Sequence, residues 1–169
     1  MIHPPHWSYY MSLEDDLIKT AHYVEICDHN FHTYSTQFTR LLLAAGSEVD
    51  VVAKQLCFQI NPHGKCGNID DYRKTIAPKY PAIPCIEMGI QWTAIRVKPW
   101  ESWANTPPTN PDWWHAYNKV KHERNINFKE ANLRNALTAI AALYCLVRHL
   151  QEDVGRPRPE RFLRIVPQA

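Results

Sequence analysis

Between residues 118 and 124 the chain reads Asn118-Lys119-Val120-Lys121-His122-Glu123-Arg124, its densest run of groups able to do chemistry. An imidazole moves a proton near neutral pH, lysine supplies positive charge, and an asparagine amide gives directional hydrogen bonds. That combination suits phosphate chemistry. If the stretch is helical, Trp114, Asn118, Lys121 and His122 share one face, because positions three and four apart are neighbours. Trp113, Tyr117 and Val120 fall on the other side of the turn and read as buried. The same pattern also describes an ordinary solvated helix end, where basic residues complement the helix dipole.

Glu48 is the second residue of interest. It stands beside Ala45 and Val52 on an apolar stripe, so its carboxylate either reaches water or takes a partner. Lys121 and Arg124 are the candidate partners, and a paired Glu48 would orient the polar helix rather than perform chemistry. Cys57, His63, Cys66 and Cys85 lack the paired spacing of a structural zinc site, so no metal is expected. His22, His29 and His32 follow no ligand pattern and read as surface or capping residues. His3 and His6 fall in a terminal segment expected to be mobile. Trp92, Trp100 and Trp103 lie beside Arg96 and Lys98, a mixture that stacks on single-stranded nucleic acid. Tryptophans in an irregular stretch more commonly pin it to the core, which is the expectation here. Nothing in the sequence has the pattern of a phosphate-binding glycine loop, a nucleophile elbow or paired catalytic cysteines.

Composition limits the setting. The 169 residues are 45% hydrophobic and 21% charged, which fits one folded domain and not a disordered chain. Nineteen basic against 17 acidic residues is too even for a general nucleic-acid coat, so any such contact must be local. No apolar run, 41–45 included, approaches the ~20 residues that span a bilayer. Met1-Ile2-His3-Pro4-Pro5 lacks the basic start and apolar stretch of a signal peptide, and a cytoplasmic protein is expected. Five cysteines without a C-x-x-C pair agree with a reducing compartment.

The elements that must position these residues are helical. Ser12 begins a capping-box pattern, followed by Leu13, Leu17, Ala21 and Val24 on one face. Phe38, Leu41, Leu42, Ala45, Val49, Val52, Leu56 and Ile60 predict a long helix over 35–59. Residues 62–110 form an insertion rich in proline and tryptophan. It has a short helix over 70–76 capped by Asn68, and a β-prone stretch from Ile90 to Val97 that predicts a small hairpin or flap. Asn110-Pro111-Asp112 predicts the start of the polar helix. A closing helix starts at Asn127 and runs to about Leu150. The basic tail, 154–169, carries Arg156, Arg158, Arg161 and Arg164 among apolar residues suited to docking on the body or on a partner.

A long helix pair, an insertion, a polar helix and an apolar closing helix together resemble the HEPN superfamily. The hallmark of that family is arginine, a polar residue, three variable residues and histidine. Here the matching positions run from Tyr117 and Asn118 to His122, with tyrosine in the arginine position. The resemblance implies an all-α, antiparallel helical bundle forming a single domain over 1–169. It implies a homodimer that acts on RNA as a metal-independent endonuclease, without cofactor, in prokaryotic toxin–antitoxin, abortive-infection or phage-defence settings. His122 would transfer the proton at the 2′-hydroxyl, with Asn118 and Lys121 also catalytic. Arg124 and Tyr117 would contact substrate, and an antitoxin or other protein partner is implied. The alternative is a non-catalytic HEPN-like module that binds protein or RNA.

Overall fold

Pro5 opens the first helix, α1 (Pro5–Thr20), where its missing N–H is one that a helix start leaves unpaired anyway. The computed structural model describes residues 5–150 and 160–167. Helix entry thus comes at Pro5 and not at the expected Ser12. Trp7 and Tyr10 explain the earlier start. Both are buried, with ring centroids 5.2 Å apart, and Tyr10 packs on Tyr144 at a further 5.2 Å. Ala21 and Val24 lie beyond the end of the helix.

Helix α2 (Thr36–Ile60) is capped by Ser35, whose hydroxyl accepts from the Phe38 N–H at 3.1 Å. Its apolar stripe from Phe38 to Leu56 is buried as the spacing predicts. Helix α3 (Ile69–Lys79) is capped by Asn68, which accepts from the Asp70 and Asp71 N–H groups at 3.0 Å each. Strands β1 (Met88–Ile90) and β2 (Arg96–Val97) then form the hairpin within the insertion. The third strand, β3 (Leu163–Ile165), comes from the tail and pairs antiparallel with the other edge of β1, giving the order β2-β1-β3. The tail therefore docks on the body. Arg156 and Arg158 lie outside the described residues.

Helix α4 (Asp112–Asn127) carries the polar motif, and Glu123 breaks it with φ −140° and ψ 56°. Pro111, not Asn110, takes the N-cap position, because the Asn110 amide oxygen is held by Arg73 at 3.0 Å. Helix α5 (Leu133–Leu150) begins later than the expected Asn127. The amide of Asn127 turns back to the Glu123 carbonyl at 3.0 Å and closes α4. Asn132 caps α5 instead, accepting from the Asn135 N–H at 3.0 Å.

The fold is mainly helical. Helices α2 and α5 form the most extensive interface, α1 and α4 pack against both, and α3 packs on α2. Every residue of α5 from Ala139 to Val147 is buried, as a central helix requires. Two tryptophan indoles pin the insertion, Trp100 to α5 and Trp113 to α4. The Trp100 indole donates to the Ala142 carbonyl at 3.3 Å, and that of Trp113 donates to Pro99 at 2.9 Å. Among the described residues no helix is long and apolar enough to cross a membrane.

Candidate functional site

The first three turns of α4 alternate between core and water. Trp113, Trp114, Tyr117 and Val120 are buried, while His115, Lys119, Lys121 and His122 are exposed. Tyr117 is only 4% exposed. Its ring lies so close to α2 that a Cβ at Gly46 would overlap it, so Gly46 is what permits the two helices to approach. The Trp114 ring stacks on Tyr117 at 5.2 Å, tilted by 47°. Position 117 is thus a core position, filled by an aromatic ring.

The polar motif residues fall into different roles. Asn118 is half-buried, and its amide donates to the Trp114 carbonyl at 2.9 Å, back along its own helix. The Lys121 ammonium sits 5.4 Å from the centroid of the Tyr117 ring, a cation–π contact at the protein surface. His122 is exposed, and among the described residues it has neither a hydrogen-bond partner nor an ion-pair partner. Arg124 is likewise exposed and unpaired, but it lies beyond the break at Glu123 and leaves the helical face of the others. Lys119 alone among these cations is paired, with Glu130 at 3.6 Å.

Glu48 is elsewhere. It pairs with neither Lys121 nor Arg124, because its carboxylate is bound to Nδ1 of His6. The second ring nitrogen of His6 is 3.1 Å from Oε1 of Gln55. Glu48 and Gln55 stand two turns apart on α2, and α1 lays His6 between them. His6 is therefore an anchored helical residue, contrary to the mobile terminus expected of it. Of the expected site residues, α4 gathers Tyr117, Asn118, Lys121 and His122, sets Arg124 past a kink, and excludes Glu48.

The structure also holds a polar centre that the sequence reading passed over. Glu14 is fully buried, and its Oε1 accepts from the Tyr10 hydroxyl at 2.8 Å. The same oxygen accepts from the backbone N–H groups of Phe162 and Leu163, at 3.1 and 2.9 Å. Arg161 adds a guanidinium nitrogen 3.7 Å from the other carboxylate oxygen and bonds Asp15 as well. Burial and then the neighbouring Glu14 charge push the Tyr10 phenol well above its ordinary range. The bond to Asp15 holds Arg161 firmly protonated. Glu14 joins the first helix to the tail. Its signal was available, because Trp7, Tyr10, Glu14 and Leu17 recur at spacings of three, four and three.

Cys57 and Cys66 lie side by side, but His63 and Cys85 do not join them in a ligand group. Among the described residues, the one trio of potential metal-ligating atoms within 4.8 Å of one another is Cys27, Asp28 and His29, two of them exposed. Of the insertion's tryptophans, Trp100 and Trp103 are core residues, while Trp92 is 89% exposed with a positive φ of 61°. No family model, no curated protein and no solved structure matches the chain.

Proposed function

We propose that the chain is a HEPN-like antiparallel helical bundle that engages RNA along the exposed edge of α4, in a prokaryotic defence or toxin setting. The observation behind this reading is that Lys121, His122 and Arg124 stay exposed without a carboxylate partner among the described residues. Exposed cations gathered beside a histidine at one end of a helix are available to phosphate. Within this reading, binding is better supported than cleavage. The site lacks a guanidinium at position 117, and lysine is a point charge without the bidentate fork of arginine. The amide of Asn118 is directed to its own helix, so it offers a phosphate only its carbonyl side.

Metal-independent cleavage is the second reading, and a specific observation favours it. Both ring nitrogens of His122 are open to a ligand, beside Lys121 on the same turn. A homodimer would bring two such edges together and double the charge in one cleft. The RNA's ribose 2′-hydroxyl would then attack the adjacent phosphorus as His122 takes its proton. The P–O5′ bond would break to leave a cyclic phosphate, and the 5′-oxygen would leave as a hydroxyl with a proton returned to it, with no cofactor taking part.

The test is RNA binding and cleavage by the purified protein in EDTA, with Lys121→Ala/Arg124→Ala and His122→Ala alongside. The binding reading predicts salt-sensitive RNA affinity that the double variant loses, with RNA left intact. Cleavage that survives the chelator and vanishes in His122→Ala would establish the second reading. A folded protein with no RNA affinity would overturn both.

A further inference from the structure

A cavity of about 610 Å³ lies away from the α4 edge. It opens between strand β2 with its following loop, the loop 102–111 that enters α4, and the first turns of α5. Its volume falls in the range of small-molecule sites, roughly 300–1,000 Å³. His122 stands ten residues along α4 from Asp112 in the cavity wall, roughly 15 Å by helical rise. The two places are separate.

Two guanidinium groups line this cavity, and neither has a carboxylate partner among the described residues. Each is seated by other means. Arg96 lies across its cross-strand neighbour Gly89, where an added Cβ would come within 3.1 Å of Nη1, and that same nitrogen donates to the Ile95 carbonyl at 2.8 Å. Arg134 rests over the Phe31 ring at 5.9 Å. Carboxylates are near at hand, since Glu87, Glu101 and Asp112 line the same space, yet Glu87 is taken by Lys98 at 3.8 Å. Two pre-positioned, unpaired guanidiniums are the arrangement that recognises a phosphate.

The remaining wall reads as a polyol site. The Ser102 hydroxyl is buried in this wall and has no hydrogen-bond partner among the described residues. Asn105 donates its amide to Thr109 at 3.0 Å and keeps its carbonyl oxygen open. Asn110 has its oxygen occupied by Arg73 and keeps its amino group open. Glu101 and Asp112 add acceptors of the kind that hold sugar hydroxyls. Three acidic and three basic side chains line the cavity, a balance that opposes a polyanionic strand and suits one phosphate on a neutral, hydroxylated body.

We propose that this cavity binds a sugar phosphomonoester, with the phosphate at Arg96 and Arg134 and the hydroxyls on the Ser102–Asn110 wall. The shared chemistry is a phosphorylated ribose, either as a free pentose phosphate or as part of a nucleoside monophosphate. The inference does not rest on the RNA reading of α4.

Isothermal titration calorimetry of the full chain tests it with four probes: ribose 5-phosphate, adenosine 5′-monophosphate, inorganic phosphate and ribose. Ribose 5-phosphate is expected to bind with a Kd of about 100 μM or tighter, and inorganic phosphate and ribose at least about tenfold more weakly. Adenosine 5′-monophosphate binding as well as or better than ribose 5-phosphate assigns the nucleotide source, and weaker binding assigns the free sugar phosphate; both support the site. Arg134→Gln and Arg96→Gln should each lower affinity about tenfold or more, with melting temperature unchanged. Three results would overturn the proposal: neither ester binding the folded protein, inorganic phosphate binding as tightly as the esters, or both variants binding like the parent chain.

Discussion

Glu14 and His122 are both ionisable side chains on helices, and they differ in almost every respect that decides what such a group is for. Glu14 is fully buried, accepts three hydrogen bonds on one oxygen and faces Arg161 with the other. His122 is exposed and has no partner among the described residues. A buried carboxylate survives only where donors replace water, so the Glu14 centre is fully committed to holding the tail. The α4 edge has no such commitment, and its charges remain available to a ligand. Partnering, more than residue type, separates architecture from candidate function in this chain.

Substitutions at the buried centre should have the largest effects. Glu14→Ala leaves the Phe162 and Leu163 amides and the Tyr10 hydroxyl without their acceptor, and should cost about 3–5 kcal/mol. Urea denaturation measures it, and limited proteolysis should show the tail released. Tyr117→Arg should cost about 3 kcal/mol, because it puts a guanidinium against Gly46 inside the core. A Tyr117→Arg chain as stable as the parent would show that position 117 is not the closed core site described above. Gly46→Ala should cost about 1–3 kcal/mol by overlap with the same ring, and a smaller residue at 117 should recover part of that in a double-mutant cycle.

Alkaline pH separates the two regions without mutation. Burial raises the phenols of Tyr10, Tyr72 and Tyr144, with Glu14 and Asp50 adding to the shift at the first two. In the unfolded chain these phenols ionise near pH 10, while in the folded chain they keep their protons. The unfolded state therefore binds fewer protons above pH 10. Stability is full below that pH and falls as pH rises toward the folded values, by at most roughly 1.4 kcal/mol per pH unit for each tyrosine. Denaturation curves at pH 9 and pH 11 check the sign. The smallest effect belongs to the α4 edge, where Lys121→Ala and Arg124→Ala should each change stability by less than about 0.5 kcal/mol.

Much of the helical framework was legible in the sequence. The α2 stripe, its Ser35 cap and the Asn68 cap of α3 are local signals, and local signals survive folding. The helix starts differ from the local signals at Ser12 and Asn110 because tertiary packing takes the residue or its neighbours elsewhere, and at Asn127 because its amide bonds back to Glu123 within α4. Trp7 and Tyr10 draw α1 back to Pro5, Arg73 takes Asn110, and Asn127 closes α4. The α4 cluster was legible because it is contiguous. The partner of Glu48 is a histidine of the first helix, 42 residues away, and no local spacing shows that contact. The place of Glu14 on the apolar stripe of α1 is legible, but two of its donors are backbone groups 148 and 149 residues away that leave no mark on the sequence.

The central claim is that the unpaired edge of α4 engages RNA while the paired centre only holds the fold. Fluorescence anisotropy of a labelled single-stranded RNA, titrated with the parent chain and with Lys121→Ala/Arg124→Ala at two salt concentrations, tests it most directly. The account predicts binding that weakens with salt, and a double variant that melts like the parent yet loses about tenfold in affinity with a shallower salt dependence. RNA affinity unchanged in a folded double variant, or absent in the parent chain, would contradict it.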